Sequence, residues 1–185
     1  MSKSVDQECV KPPLVQARDA FMFAAGFEEI SARVERELHA TAHAIEAGKA
    51  TKKNDSLRAM VTFAVNCTFG AELYFKCLNL IATGAAGWGH ELLNLYKLVP
   101  LQYQQRIKHH HREIMSRANN RGGPMLLDFE AILELQNDLF EDARYAFESK
   151  VTKLSVSTVP ICVPIRRTIL ELKPEWRDEA ARLQA

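Results

Sequence analysis

Apolar residues recur every three or four positions along most of this chain, the period of helices with one buried face. From Leu14 to about Ala47 the pattern predicts a helix, with Gly26 as a point of break or kink. The polar stretch GKATKKND (48–55) follows as a loop. Asp55 or Ser56 caps a second predicted helix reaching about Thr83. Its stripe runs through Leu57, Met60, Val61, Ala64, Val65, Phe69, Leu73, Cys77, Leu80 and Ile81. Gly70 within it costs about 1 kcal/mol against alanine, which points to close packing against a neighbour there. TGAAGWG (83–89) reads as a turn, and a short helix from His90 to Val99 stops at Pro100. Pro100 fits the first turn of another helix reaching about Ala118, and NNRGGP (119–124) is a loop. Asp128 then opens a helix with Phe129, Ile132, Leu133, Gln136, Leu139, Phe140, Ala143 and Phe147 on one broad face.

After Lys150 the pattern changes. Val151 to Leu172 mixes β-branched residues with Pro160 and Pro164, which predicts an extended arm. Pro174 opens a short amphipathic helix from Glu175 to Gln184. The expected fold is all-α: an antiparallel up-and-down bundle of four to five helices with an extended C-terminal arm and a short terminal helix. Residues 1–12 form a frayed leader and residues 13–150 the bundle. Residues 151–185 pack along the bundle or on a second subunit.

Composition narrows the class. With 47% apolar and 25% charged residues in 185, the chain has the make-up of one globular domain. A formal net charge of +1 argues against a surface wholly committed to nucleic acid or acidic lipid. The N-terminal MSKSVDQECVKPP lacks an apolar leader core, and the longest apolar stretch, Met60 to Ala82, is broken by Asn66, Glu72 and Lys76. A cytoplasmic protein with no membrane span is expected. Cys9, Cys67, Cys77 and Cys162 show no zinc-ligand spacing and read as reduced thiols.

Three segments then carry a resemblance: Ala71-Glu72-Leu73-Tyr74-Phe75-Lys76-Cys77-Leu78, Gly89-His90-Glu91-Leu92-Leu93-Asn94-Leu95-Tyr96 and Ala143-Arg144-Tyr145-Ala146-Phe147-Glu148. In order and spacing they resemble the HEPN domain family over roughly residues 56–150. The resemblance implies a stand-alone bacterial-type helical bundle, commonly a homodimer, that works with RNA or a nucleotide in a defence or toxin–antitoxin setting. It also implies a nucleotidyltransferase-type protein as a partner. Glu72, Lys76, Arg144 and Tyr145 would line its groove, and His90 would be a structural residue packed under the bundle or bonded to the preceding turn. Catalytic members carry an arginine, then four to six intervening residues, then a histidine. Here those positions hold Ser149, Lys150 and Val151, so the usual catalytic motif is absent.

The residues themselves support chemistry of the same kind. Glu72 and Lys76 share a helix face, which also suits a plain ion pair. Arg144 borders the apolar stripe and either pairs with Glu141 or Glu148 or faces a phosphate. Arg106 and His111 form an Arg-x4-His pattern whose side chains suit a metal-independent endoribonuclease, one holding a phosphate and the other moving a proton. Arg106, Lys108, Arg112, Arg117 and Arg121 against the single acid Glu113 make a local balance of +4, which suits either a phosphate backbone or solvent. His39 and His43 are spaced as ligands, and Glu35 or Glu46 could join them, but two ligands on an exposed helix make a weak site, so no metal and no cofactor is expected. The apolar arm supplies a third alternative, a non-catalytic interaction or dimerisation module.

Overall fold

The computed structural model describes residues 11–47, 53–119, 127–137 and 161–182. Among the described residues, seven α-helices and one 3₁₀ turn make up the regular structure, and no strand occurs. Two long helices dominate, α1 (Pro13–Glu46) and α2 (Lys53–Thr83). Proline at the start of α1 costs nothing, because the first-turn N–H groups have no partner within the helix. The two helices pair antiparallel: Phe21 meets Tyr74, Ala24 meets Gly70 and Phe27 meets Phe69, one register falling as the other rises. Gly70 makes this approach close, since a Cβ there would sit 3.4 Å from the Ala24 carbonyl oxygen and 3.4 Å from Cys162 Sγ. Gly26, by contrast, leaves α1 unbroken.

The shorter helices close the core over this hairpin. α3 (Leu92–Leu98) ends at Val99, whose extended backbone is what a following proline imposes. Pro100 then accepts the first-turn bonds of α4 (Leu101–Asn119) from the N–H groups of Tyr103 and Gln104. The carbonyl of Asp128 receives the Ile132 N–H at 3.1 Å as α5 (Phe129–Asn137) begins. α6 (Cys162–Leu172) packs against α2 and α4. A 3₁₀ turn at Pro174–Trp176 leads into α7 (Arg177–Arg182).

α6 corrects one expectation. The arm predicted as extended over 151–172 is helical from Cys162 to Leu172 and lies on its own bundle. Pro164, one of the signals for an extended arm, stands in the first turn of this helix, where its missing N–H breaks no bond. Residues 151–160 of the arm, and Leu139 to Phe147 of the preceding stripe, lie outside the described residues.

Two aromatic chains hold the core. Trp176, Phe21 and Tyr74 pack as tilted rings with centroids 5.3 and 5.7 Å apart, joining the C-terminal turn to α1 and α2. Phe75, Tyr96 and Phe129 join α2, α3 and α5 at 5.9 and 5.6 Å. Beside the first chain lies a polar knot: Glu28 Oε2 accepts the Tyr74 hydroxyl at 2.7 Å and faces Arg166 Nε of α6 at 2.9 Å. Burial, first, and the neighbouring Glu28 raise the Tyr74 hydroxyl far above its ordinary range, so it remains a donor. Cys67, Cys77 and Cys162 are buried free thiols. No helix among the described residues is long and apolar enough to cross a membrane.

Candidate functional site

Glu72 and Lys76 lie one turn apart on α2, where Glu72 Oε1 accepts the Lys76 ammonium at 2.7 Å. The same oxygen lies 3.0 Å from His90 Nδ1, eighteen residues along the chain. The turn between α2 and α3 makes this meeting possible by folding back over α2. It does so through Gly84, Gly87 and Gly89, all in the left-handed region at φ of 79°, 79° and 90°. Only glycine adopts that backbone without a Cβ penalty. At Gly87 a Cβ would also fall 2.7 Å from Leu98 Cδ1, so the exposed Leu98 side chain would have to shift. Asn79 Nδ2 donates to the Leu95 carbonyl at 3.1 Å and fixes α3 beneath the turn.

Burial grades outward through this cluster. The Glu72 side chain is 8% exposed, Lys76 is 22% and His90 is 77%. Trp88, on the same turn, is 97% exposed. With Lys76 and residues 85–90 it lines an open concavity of about 580 Å³. A carboxylate can only accept, so Nδ1 of His90 carries a proton toward Glu72 and Nε2 is the ring nitrogen left for another partner. The site thus offers a held ammonium, an oriented imidazole and a bare indole on one rim.

His90 therefore departs from the packing role expected of it. It is exposed and bonded to a side chain, not tucked under the bundle. For Trp88 the sequence pattern predicts only a place in a turn. Glycines on both sides of Trp88, ahead of a histidine, were the signal that this segment presents its side chains instead of burying them.

The basic helix α4 is arranged differently from its sequence balance. Arg106 Nη1 meets Glu171 Oε2 of α6 at 2.9 Å, and His110 Nε2 meets Glu171 Oε1 at 3.0 Å. Lys108 pairs with Glu130 of α5 at 2.9 Å. Acids from other helices thus answer much of the local charge. Arg112 is exposed and donates through Nε to the carbonyl of Lys108 at 3.2 Å.

Arg106 and His111 do not converge. Five residues apart, they point roughly 140° from each other around the helix. Arg106 faces α6, while His111 is 3% exposed with its ring 5.3 Å from that of Phe129. One phosphate cannot meet both in this arrangement. Arg144 and Tyr145 lie outside the described residues. No group of three or more His, Cys, Asp or Glu side chains is placed to hold a metal ion among the described residues.

The buried His111 has a measurable consequence. Burial lowers its imidazole pKa below the ordinary value, and Asp128 opposes this more weakly. The folded state keeps the ring neutral where the unfolded chain already binds a proton. Stability contributed here is complete above the unfolded value of about 6.5 and is lost as pH falls toward the lowered folded value. Urea unfolding between pH 7.5 and 5.5 should show stability declining by up to about 1.4 kcal/mol per pH unit from this group. His111→Gln should flatten the decline by that amount, and an unchanged slope would remove His111 as its source.

No model of a known family, no curated protein and no solved structure matches this chain.

Proposed function

We propose that this chain is a HEPN-like module that binds RNA or a nucleotide at the turn between α2 and α3, with binding and not cleavage as its task. The observation that carries this reading is Trp88, 97% exposed, on the rim it shares with Lys76 and His90. Single exposed apolar side chains are common, so exposure alone would mean little. An indole beside a fixed ammonium and an oriented imidazole is different, because it pairs a stacking surface with phosphate-binding groups. Glu72 keeps both cationic or donor groups in place from below. The resemblance to HEPN domains supports the same ligand class.

Metal-independent cleavage is a second reading favoured by one contact, His90 on Glu72, which orients the imidazole for proton transfer.

The test is a titration of the protein with a short single-stranded RNA in excess EDTA, followed by tryptophan emission. Of the two tryptophans Trp88 is exposed and Trp176 is buried, so quenching at the long-wavelength edge reports Trp88. Saturable quenching is expected, with affinity falling as salt rises. Each phosphate neutralised contributes a log–log slope of about −0.7. Lys76→Ala should remove one such contribution. Absence of quenching at low salt, or affinity indifferent to salt, counts against the reading. The same mixtures on a denaturing gel separate the two readings: intact RNA supports binding, while cleavage lost in His90→Ala supports the second.

A further inference from the structure

On a face of α1 that the α2–α3 turn does not use, an apolar groove lies open. Met22, Phe23, Gly26, Phe27 and Ile30 line a concavity of about 400 Å³, with Phe23 67% and Ile30 41% exposed. Gly26 sits at its centre, and a Cβ placed there would meet nothing within 4 Å. The groove is thus a hole beside a protruding ring.

Its charged ends decide what fits it. Asp19 stands seven residues before Gly26 and Arg33 seven residues after, so both fall on the groove's side of the helix. Asp19 is partly exposed and already holds Lys11 at 2.7 Å, leaving its other carboxylate oxygen for a further partner. Arg33 is exposed and has no ion pair among the described residues. The stripe therefore reads acid, apolar, glycine, apolar, base.

Such a stripe is complementary to itself when reversed. In two antiparallel helices related by a two-fold axis at Gly26, a position n residues after it faces the position n residues before it on the other copy. Ile30 then faces Met22, Arg33 faces Asp19, and Phe23 lies over the segment from Gly26 to Ile30 of the second helix. The glycine permits close approach of the two backbones at the crossing.

We propose that this face of α1 binds a second copy of the chain in an isologous, antiparallel α1–α1 contact centred on Gly26. One helix pair covers less than the ~800 Å² per partner of a standard stable interface, so the dimer forms in the micromolar range of about 1–100 µM. The contact does not depend on RNA, and the test omits it.

Sedimentation velocity of the full chain from about 1 to 200 µM reads the outcome directly. A reversible monomer–dimer equilibrium is expected for the wild type. Phe23→Glu should raise the dissociation constant more than about tenfold, since it removes the central ring. Asp19→Arg and Arg33→Asp alone each bring like charges together at both ends and should weaken the dimer severalfold. Combining them restores opposite charges and should return the constant to within about threefold of the wild type. Circular dichroism melts confirm that each variant is folded, and Phe23 is exposed enough for its replacement to leave the core intact. A monomer at the highest concentration, a dimer unaffected by Phe23→Glu, or a double reversal no better than Asp19→Arg alone would each overturn the proposal.

Discussion

Replacing Trp88 by alanine is expected to weaken RNA binding roughly 5- to 150-fold while leaving the melting temperature unchanged. The magnitude follows from stacking, since one base against one aromatic ring contributes about 1–3 kcal/mol by alanine substitution. The absence of a stability effect follows from geometry. With its side chain 97% exposed, Trp88 removes almost no apolar surface from water in the folded state, so little is lost when it goes. Trp88→Phe keeps a ring that can stack and should recover most of the affinity. Fluorescence anisotropy of labelled RNA would measure both variants. An alanine variant that binds as the wild type would remove the indole from the site, and with it the main support for a base-binding rim.

Phe21→Ala should have the largest effect on the fold itself, a loss of about 3–5 kcal/mol in urea unfolding. Phe21 is fully buried, and its ring touches Tyr74 of α2 at 5.7 Å and Trp176 of the C-terminal turn at 5.3 Å. Truncation therefore removes buried apolar surface and leaves a cavity at the junction of three elements. A domain of this kind has roughly 5–15 kcal/mol in total, so a third or more of its stability is at stake. Trp176 emission should shift to longer wavelength at lower urea, reporting local loosening of the C-terminal turn. The exposed Arg18–Glu179 pair, at 2.5 Å, also ties this region to α1 but contributes little by comparison. A loss below about 1 kcal/mol would mean that Trp176 and Tyr74 close the gap.

Most helices were legible because their signals are local. The span of α2 follows from apolar residues three and four apart, and the break between α3 and α4 from Pro100. The close packing at Gly70 also followed from a single residue whose helix cost needs a reason. At Pro164 local reasoning gave the wrong answer. A proline inside a helix and a proline in its first turn look alike until the helix start is known.

Sequence alone thus determined the all-helical class, the main helix spans and the Glu72–Lys76 pair, since each depends on groups within one or two turns of each other. Tertiary structure decided everything that depends on which faces meet. Glu171 answers Arg106 from 65 positions away, and Glu130 answers Lys108 across a helix contact, so the charge that α4 shows in sequence is not the charge it presents. His111 became a packing residue because its side of α4 meets Phe129. Three left-handed glycines carried Trp88 and His90 back over Glu72, joining residues eighteen positions apart into one rim. Helical periodicity fixes which side chains share a face; only burial of those faces against one another fixes which faces share a neighbour.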